Sequence, residues 1–448
     1  MAEGGVHQRA IDVFTHYYGE LESGVTGMIP EAEVDPLEDI AHASSLTVSD
    51  EDQRAAASKT AVIKLNGGLG TSMGMDRAKS LLRVRGELSF LDVIAGQVRH
   101  FRETYGVSLP LIFMDSFRTH EDTLEALARY PDLAVDGLPL DFLQNREPKL
   151  LADTLSPVDW PADPSLEWCP PGHGDLYTAL EVSGVLDALL DAGYHYATVS
   201  NADNLGASPD PAMMGWFAAT DAPYAAEVAL KTPADVKGGA LVVRRSDGRL
   251  VLRETAQILP GDMAAATDPT RHRYFHTNNL WFDLRVLRAT LEERRGVLGL
   301  PLIRNEKNVD PSESTSPKVV QLETAMGAAV EVFDGATAIE VDRSRFLPVK
   351  TTNDLLLLRS DVYGVGDDFR LRVQVTEAPL ISLDPRFYRT IADFEARFPE
   401  APSLVGATSL TVEGDWKFGP GVVIAGNALL EDEGHPASVA PAAVVASG

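Results

Sequence analysis

The segment with the clearest chemical potential is a glycine-rich run that directly follows a short apolar stretch. It reads KLNGGLGTSMG from Lys64 to Gly74, and Lys79-Ser80 follow it. Glycines let backbone N–H groups approach a nucleotide or its phosphates closely. In open α/β sheets, ligands lie beyond the carboxyl ends of the strands. The run therefore predicts a nucleotide- or phosphate-binding loop, with a plain glycine-rich turn as the alternative.

Two familiar phosphate-binding fingerprints do not fit this run. The dinucleotide fingerprint needs Gly-x-Gly-x-x-Gly, but three residues separate Gly70 from Gly74. The P-loop needs Gly-Lys-Ser/Thr, but Gly74 is followed by Met75 and Asp76. Neither a Rossmann oxidoreductase nor a P-loop protein is therefore expected.

The elements that must position this loop follow an α/β pattern. Short apolar runs alternate with longer helical patterns over residues 56–363, which predicts a catalytic domain with a mainly parallel sheet. Asp247-Gly248 between two strand-like runs predicts a hairpin, so the sheet is expected to be mixed. The spacing of apolar residues predicts helices over Phe90–Tyr105, Thr119–Tyr130, Asp175–Ala192 and Leu284–Arg295.

The segments before and after this domain have different residue patterns. Residues 1–55 are predicted to be an N-terminal helical accessory segment, with one amphipathic helix and then an acidic, solvated connection. Residues 364–448 are predicted to form a small C-terminal domain. Its stretch Leu410–Leu430 carries apolar residues and glycines at short intervals, as stacked strands of a β-helix do. From about Glu431 the tail is predicted to be frayed.

Composition and charge narrow the functional classes. The 448 residues suggest roughly two to three domains. A single cysteine excludes an internal disulfide framework and fits a reducing cytosol. No signal peptide and no apolar run of the ~20 residues that span a bilayer are visible, so a cytoplasmic protein is expected. With 39 basic and 66 acidic residues the net charge is −27, which disfavours nucleic acid and anionic membranes as partners.

At the glycine-rich run the sequence resembles the eukaryotic-type UTP–glucose-1-phosphate uridylyltransferases. Further segments match in the family's order, from about residue 60 to 430. They are FLQNR (142–146), WCPPGHGD (168–175), SNADNLG (200–206), DVKGG (235–239), TNNLW (277–281), QLETA (321–325), RSRFLPVK (343–350), DFEARFP (393–399) and VEGD (412–415). The resemblance implies a Rossmann-like, GT-A-like nucleotidyltransferase fold. It also implies a left-handed C-terminal β-helix through which homo-oligomers could form.

The implied reaction is reversible: a phosphate oxygen of glucose 1-phosphate attacks the α-phosphorus of UTP in line, and pyrophosphate leaves. Because the nucleophile is already anionic, no strong general base is needed. The enzyme must position the reactants and neutralise charge. That work suits backbone amides, one or two lysines and Mg²⁺ held by few carboxylates.

Roles follow from the resemblance by motif position. The residues implied to bind UTP are Leu65, Asn66, Gly67, Gly68, Lys79, Gln144, Gly172, Asn201, Ala202, Asp203 and Lys350. The residues implied to bind glucose 1-phosphate are Gly67, Gly68, His173, Asn278, Asn279 and Leu280. Lys79 and Lys350 are the implied catalytic cations. Asp203 is the implied Mg²⁺ ligand, with an Asx turn as the alternative. Asp76 stands where many members carry another lysine, which leaves Lys79 as the loop's cation for the phosphates.

The residue types agree with these roles. The amide of Gln144 offers one donor and one acceptor, which matches the imide edge of uracil. His173 lies between two glycines before a helix, a setting that favours anions. Lys237 and Glu254–Gln257 are further candidates for the sugar pocket. Arg343 and Arg345 could neutralise phosphate or form local salt bridges, and Cys169 is expected to be a core residue rather than a nucleophile.

Two other functions remain open at this level. One is a broader UDP-sugar pyrophosphorylase that accepts galactose 1-phosphate or an N-acetylhexosamine 1-phosphate. The other is a catalytically silent nucleotide-sugar sensor. Such a sensor is expected to have lost Asp203, Lys79 or Lys350, and all three are present.

Overall fold

A computed structural model of the chain describes residues 1–232, 238–311 and 313–446. The helices are Gln8–Glu22 (α1), Asp50–Ala57 (α2), Phe90–Tyr105 (α3), His120–Leu127 (α4), Leu176–Val182 (α5), Val185–Asp191 (α6), Pro211–Thr220 (α7), Met263–Thr267 (α8), Leu284–Glu293 (α9), Thr352–Arg359 (α10), Pro385–Tyr388 (α11) and Ile391–Arg397 (α12). None of the helices in these ranges has both the length and the apolar character needed to cross a membrane.

The strands fall into one large sheet and several small ones. Those of the first half are Val34–Pro36 (β1), Thr60–Leu65 (β2), Arg83–Arg85 (β3), Leu88–Ser89 (β4), Leu111–Asp115 (β5), Asp141–Leu143 (β6), Glu147–Pro148 (β7), Leu150–Leu151 (β8), Trp168–Cys169 (β9), Tyr196–Asn201 (β10), Tyr224–Leu230 (β11) and Ala240–Arg244 (β12). Those of the second half are Leu250–Arg253 (β13), Tyr274–Asp283 (β14), Ile303–Asn308 (β15), Lys318–Glu323 (β16), Thr337–Glu340 (β17), Tyr363–Val365 (β18), Leu371–Val373 (β19), Leu380–Leu383 (β20), Ser403–Val412 (β21), Trp416–Phe418 (β22), Val423–Leu430 (β23), Ala437–Val439 (β24) and Val444–Ala446 (β25).

The central sheet has ten strands, with the order β1-β12-β14-β10-β2-β5-β6 and with β11, β13 and β17 attached beside this path. Strand β2 pairs in parallel with β10 and β5, and β5 pairs in parallel with β6. Strand β14 is antiparallel to β10, β11 and β12. The expected α/β fold with a mixed, mainly parallel sheet is confirmed. The Asp247-Gly248 hairpin is also present, as β12 and β13.

The sheet is buried on both faces, as the apolar composition of its strands requires. One core packs α3 and α7 against β2 and β5, and the other packs α5, α6 and α9 against the opposite face. Helix α3 begins at a capping box between Ser89 and Asp92 and ends at Gly106, which is left-handed. The predicted single helix over 175–192 is instead two helices, because Gly184 has φ of 76° and interrupts it.

The N-terminal segment is part of the sheet rather than a separate accessory. Strand β1 pairs with β12 at the edge of the central sheet. Just before β1, the carboxylate of Glu31 pairs with the buried guanidinium of Arg253 in β13, with Nη1 and Oε2 2.5 Å apart. The predicted solvated connection is corrected accordingly, because Glu31 and β1 of this segment, and Ala41 further along it, bond to the central sheet.

The C-terminal region consists of short parallel strands, with β20, β21, β23 and β25 in one ladder and β22 and β24 in another. The predicted frayed tail is corrected here. The chain beyond Glu431 adds β24 and β25 to the ladders, because its short valine-containing runs extend the same parallel pairing. This region shares one continuous core with the α/β domain.

Candidate active site

A cavity opens where the carboxyl ends of β2, β5, β6 and β10 meet, and we name it the glycine-loop cavity. Its lining includes every residue that the motifs implied for the nucleotide except Lys350, together with His173, which they implied for glucose 1-phosphate alone. These residues are Leu65, Asn66, Gly67, Gly68, Lys79, Gln144, Gly172, His173, Asn201, Ala202 and Asp203. Residues that are far apart in sequence converge here because parallel strands end at the same edge of the sheet.

A second cavity, which we name the bulge cavity, adjoins the first and shares His173 with it. It is lined by Asn278, Lys350 and Glu254, among others. Thr255 and Ala256 of the predicted Glu254–Gln257 stretch also line it. Lys237, another predicted sugar-pocket residue, lies outside the described residues.

In the glycine-rich loop, the side chain of Asn66 is turned away from the cavity and is used inside the protein. Asn66 is buried, and its amide donates to Asp115 Oδ1 at 2.8 Å and to Thr123 Oγ1 at 2.9 Å. The side chain therefore anchors the loop to the next strand. Gly67 has no room for a side chain, because a Cβ there would lie 2.9 Å from Gln144 Oε1. At Asn66 and Gly67 the loop therefore offers main-chain atoms to the cavity.

The amide of Gln144 is held in one orientation. Its Nε2 donates to the carbonyl oxygen of Gly172 at 2.7 Å, so the nitrogen must point toward that carbonyl and Oε1 away from it. Nε2 keeps a second hydrogen, and Oε1 keeps its acceptor capacity. Gln144 thus presents a donor beside an acceptor in a defined order.

Lys79 ties the glycine-rich loop to two other parts of the site. Its Nζ lies 2.6 Å from Asp203 Oδ2, just beyond β10, and also donates to the main-chain oxygen of Val349. Val349 directly precedes Lys350, which is exposed and lines the bulge cavity. The charge of Lys350 acts on the carboxyl group of half-buried Glu254, which lines the same cavity. The ammonium of Lys79 therefore occupies a cation position beside Asp203.

His173 is a neutral donor at the junction of the two cavities. The backbone N–H of Met326 donates to its Nδ1 at 2.9 Å. A nitrogen that accepts carries no proton, so the neutral ring has its proton on Nε2. Burial lowers the pKa of His173 to about 4. At neutral pH the ring can donate one hydrogen bond but adds no positive charge.

Asn278 reaches the bulge cavity because strand β14 is irregular there. Glu227 of β11 faces Asn279 and Val228 faces His276, so two extra residues bulge out of β14. Asn278 takes φ of 59°, a left-handed conformation that asparagine tolerates better than most residues. The motif TNNLW thus places one amide side chain into the cavity.

The other two predicted sugar residues point elsewhere. Asn279 is buried and donates to Glu227 Oε2 at 3.0 Å, and the side chain of Leu280 lies in the second core. The amide of Asn279 is used inside the protein, and Leu280 packs against apolar neighbours. Their side chains do not line the cavity, so any contact with a sugar would come from main-chain atoms.

Glu227 is a structural centre of the site that the motifs did not reveal. It is fully buried in β11, and its carboxylate accepts from Arg345 at 2.7 and 2.8 Å and from Trp281 Nε1 at 2.9 Å. Burial by itself would raise the pKa of Glu227, but the charge and hydrogen bonds of Arg345 hold that pKa below its usual value. One signal was available, since an acid inside the apolar run YAAEVAL needs a buried partner.

This ion pair decides between the two roles left open for Arg345, which forms a local salt bridge. Asn204 connects the loop after Asp203 to β14 and to the segment before Lys350. Asn204 donates to Asn279 Oδ1 at 3.0 Å and to the Arg345 carbonyl at 3.1 Å, and it accepts from the Leu347 N–H at 2.8 Å. The network therefore sets the separation of Asp203, the bulge and Lys350.

Two further candidates have different positions. Arg343 lines the bulge cavity, where its guanidinium carbon lies 4.9 and 6.0 Å from the ring centroids of Phe275 and Phe346. Cys169 is buried, and burial raises the pKa of its thiol well above the ordinary value. A buried, protonated thiol is a poor nucleophile, in agreement with the predicted packing role.

Comparison with known proteins identifies the family. The family model for UTP–glucose-1-phosphate uridylyltransferase matches residues 11–425. The chain belongs to the UTP–glucose-1-phosphate uridylyltransferase family. The curated family member of Musa acuminata is 41% identical over 376 residues, which is 83% of this chain and 78% of that relative. The probable UTP–glucose-1-phosphate uridylyltransferase of Schizosaccharomyces pombe is 38% identical over 397 residues, 88% of this chain and 77% of its own length.

Solved structures agree with this family. The UDP-glucose pyrophosphorylase of Leishmania major, known in open and closed structures, matches with a TM-score of 0.93 and 41% identity. The match covers 100% of this chain and 97% of that one. A UDP-glucose phosphorylase of Trypanosoma brucei matches with a TM-score of 0.89 and 39% identity, over 100% and 98% of the two chains. The resemblance read from the motifs is confirmed, as is the prediction of a nucleotidyltransferase.

Proposed function

We propose that the chain transfers a uridylyl group from UTP to glucose 1-phosphate and releases pyrophosphate, in a reversible reaction. The observation that carries this proposal is the junction of the two cavities at His173. An oriented amide and the Lys79–Asp203 pair line one cavity, and Asn278 and Lys350 line the other. Two substrates that enter from the two sides would meet at this junction.

Gln144 would read the base. Uracil offers an N–H between two carbonyl oxygens, so the free Oε1 can accept from N3–H while the second Nε2 hydrogen is donated to a carbonyl. Cytosine has an acceptor at that ring nitrogen and a donor amino group beside it, so it requires the opposite amide orientation. The hydrogen bond from Gln144 to Gly172 opposes that orientation.

Lys79 and Lys350 would neutralise the phosphates. The sugar phosphate attacks as an anion, so the barrier lies in bringing negative groups together in line. In support, Lys79 lines the glycine-loop cavity and Lys350 lines the bulge cavity, and the Lys79 ammonium donates to the main-chain oxygen of Val349, next to Lys350. The Nε2–H of His173 would donate to an oxygen of the sugar phosphate without adding charge.

Mg²⁺ would be held by Asp203 together with phosphate oxygens and water. The donor set fits, because Asp203 already faces a cation, the ammonium of Lys79, and Mg²⁺ commonly takes one or two protein carboxylates beside phosphates. Within the described part of the chain, no cluster of three or more histidine, cysteine or carboxylate side chains could hold a metal alone. When bound, the ion would draw charge from the triphosphate.

The sugar pocket would be formed by Asn278 and Glu254 in the bulge cavity. Hexose hydroxyls both donate and accept hydrogen bonds. An amide and a carboxyl group together supply both kinds of partner.

Pyrophosphate release with UTP, Mg²⁺ and a panel of sugar 1-phosphates tests the function. The panel contains the glucose, galactose and N-acetylglucosamine forms, with ATP and TTP as nucleotide controls. We expect release with UTP plus glucose 1-phosphate, and its loss when EDTA removes the metal. Comparable rates with all three sugars would identify a broader UDP-sugar pyrophosphorylase. Binding of UTP without release with any sugar would identify a sensor.

We also propose that the C-terminal parallel ladders form a left-handed β-helix through which copies of the chain associate, in the cytoplasm. Exposed apolar side chains on this region support association, notably Leu380 at 72% and Val444 at 67% of their full exposure. Sedimentation velocity over a range of concentrations tests it, since a monomer throughout would contradict association. Cell fractionation tests the compartment.

A further inference from the structure

Asp175 ends a short 3-10 turn, His173–Asp175, that leads directly into helix α5. Its backbone is itself helical, with φ of −61° and ψ of −14°, and its carboxylate makes no hydrogen bond to the first turn of α5. The carboxylate of Asp175 is directed to another loop instead.

That loop is the one that carries Gln144. Asp175 Oδ2 accepts from the backbone N–H of Asn145 at 2.6 Å, and Oδ1 accepts from Asn145 Nδ2 at 2.9 Å. The preceding residue, Gln144, donates to the carbonyl of Gly172 at 2.7 Å. Two neighbouring residues of one loop are thus bound to two positions of the other, and we name this arrangement the 145–175 clasp.

The loop on the Asp175 side is itself firmly held, so the clasp has a fixed base. The Gly174 N–H donates to the Thr324 carbonyl at 2.8 Å, and the Thr324 N–H donates to the Pro171 carbonyl at 3.0 Å. A Cβ on Gly174 would lie 2.2 Å from Thr324 Oγ1, so the two segments are in close contact. The position of Asn145, and with it that of Gln144, is therefore set by Asp175.

The clasp joins the two loops through a carboxylate whose burial is energetically unfavourable. Asp175 is 6% exposed, and its partners are the neutral groups of Asn145. Burying a carboxylate without a cation costs more than burying a neutral amide. Burial raises the pKa of Asp175 to about 7, and buried Glu147 lies close enough to be affected by its charge. Two acceptor oxygens aimed at one residue supply a geometry that a neutral side chain cannot, because an amide offers only one acceptor oxygen.

We propose that Asp175 is a positioning residue for base selection. Its carboxylate holds Asn145 so that Gln144 stays bonded to Gly172, with its amide nitrogen and oxygen in the order that suits uracil. This inference rests on the proposed reading of uracil by Gln144. It adds that the discrimination between uracil and cytosine depends on a residue that does not touch the base.

The test compares UTP with CTP in the wild type and in Asp175→Asn at pH 8, above the pKa of about 7 of Asp175, so that its carboxylate is ionised. The variant keeps the shape but loses the charge and one of the two acceptor oxygens, so Asn145 can no longer donate to two oxygens of residue 175. We expect the KM for UTP to rise about tenfold or more, as for loss of a hydrogen bond to a charged group, with kcat much less affected. The ratio of kcat/KM for UTP over CTP is expected to fall by a similar factor.

The double variant Asp175→Asn with Asn145→Asp is the rescue. The backbone N–H of residue 145 can then donate to the new amide oxygen, and the new amide nitrogen can donate to the new carboxylate. We expect the preference for UTP to return to within about threefold of the wild type, because both hydrogen bonds are restored. Glu147→Gln is the matched control. It alters a neighbouring buried carboxyl group, one oxygen of which has no partner, and is expected to leave the UTP/CTP ratio unchanged.

The outcomes separate the inference from the proposed function. A wild type that uses CTP as well as UTP would overturn base reading by Gln144, and the inference with it. A wild type that prefers UTP, with Asp175→Asn showing an unchanged ratio or an equal rise in KM for both nucleotides, would overturn the inference alone. If Asp175→Asn does not fold, Asn145→Ala removes the side-chain half of the clasp and must reduce the same ratio.

Discussion

Two buried carboxylates hold the two halves of this site, and they do so under opposite electrostatic conditions. Glu227 beneath the bulge cavity is paired with the guanidinium of Arg345. Asp175 beside the glycine-loop cavity is bound only to neutral groups of Asn145 among its hydrogen-bond partners. Burial disfavours the charge of both, but only at Glu227 is that cost offset by an opposite charge.

The difference shows that similar geometry does not imply similar energetics. The Glu227 network joins charged and polar side chains from four segments, so the loss of one member leaves others buried and unpaired. The 145–175 clasp joins two loops through one residue on each side, so its loss leaves only neutral groups. Loss of the Glu227 network should mainly lower the free energy of unfolding. Loss of the 145–175 clasp should mainly change the position of Gln144 in the site.

The largest expected effect lies outside both carboxylates, at the lysines on either side of the cavity junction. Lys79→Ala and Lys350→Ala should each lower kcat by about a hundredfold to a thousandfold, because each removes a charge that the transition state needs. Initial rates of pyrophosphate release measure this. Lys59→Ala, at an exposed lysine away from both cavities, is the control. A variant at Lys79 or Lys350 with near-normal kcat would refute the role of that lysine.

Removing the charge of Glu227 is expected to have the next largest effect, and it compares the ion pair directly with the clasp. Glu227→Gln leaves the Arg345 guanidinium with only Asp210, 3.8 Å away, as an acidic partner, so the free energy of unfolding should fall by about 3 kcal/mol. Asp175→Asn removes one acceptor oxygen but leaves no unpaired charge, and should cost about 1–2 kcal/mol. Urea denaturation of the two variants beside the wild type measures both. Equal losses would show that the two junctions do not differ in the way described.

The smallest expected effect is on the pH dependence of stability, which should have opposite signs for the two carboxylates. Asp175 keeps a proton in the folded state up to about pH 7, whereas its ordinary pKa is 3.8. Raising the pH from 3.8 to about 7 should therefore lower the stability of the wild type relative to Asp175→Asn. The pKa of Glu227 lies below its ordinary value of 4.5. Its contribution should therefore be complete above pH 4.5 and decline as the pH falls below that.

Unfolding free energies of the wild type and both variants, measured from pH 4 to pH 8, provide the check. The difference between wild type and Asp175→Asn should change over this range, while the difference between wild type and Glu227→Gln should stay nearly constant above pH 5. Parallel curves for the two variants would remove the electrostatic distinction between the clasp and the ion pair.

Much of this site could be read from residues whose spacing is local. The glycine-rich loop, the amide of Gln144 and the aspartate after β10 all lie in short segments that keep their character wherever the chain folds. The TNNLW motif was only partly informative. Three consecutive residues were expected at the sugar, but β14 pairs on both sides there, and its bulge sends only Asn278 into the cavity.

The amino-acid sequence by itself determined the fold class, the family and the set of residues that gather at the glycine-loop cavity. These follow from alternating apolar runs, glycine placement and motif order, all of which are properties of neighbouring residues. Only the tertiary structure decided that Arg345 serves Glu227 rather than a phosphate, and that Asp175 serves Asn145 rather than its own helix. The physical reason is that the free energy of a buried charge depends on its partner, and both partners here come from distant parts of the chain.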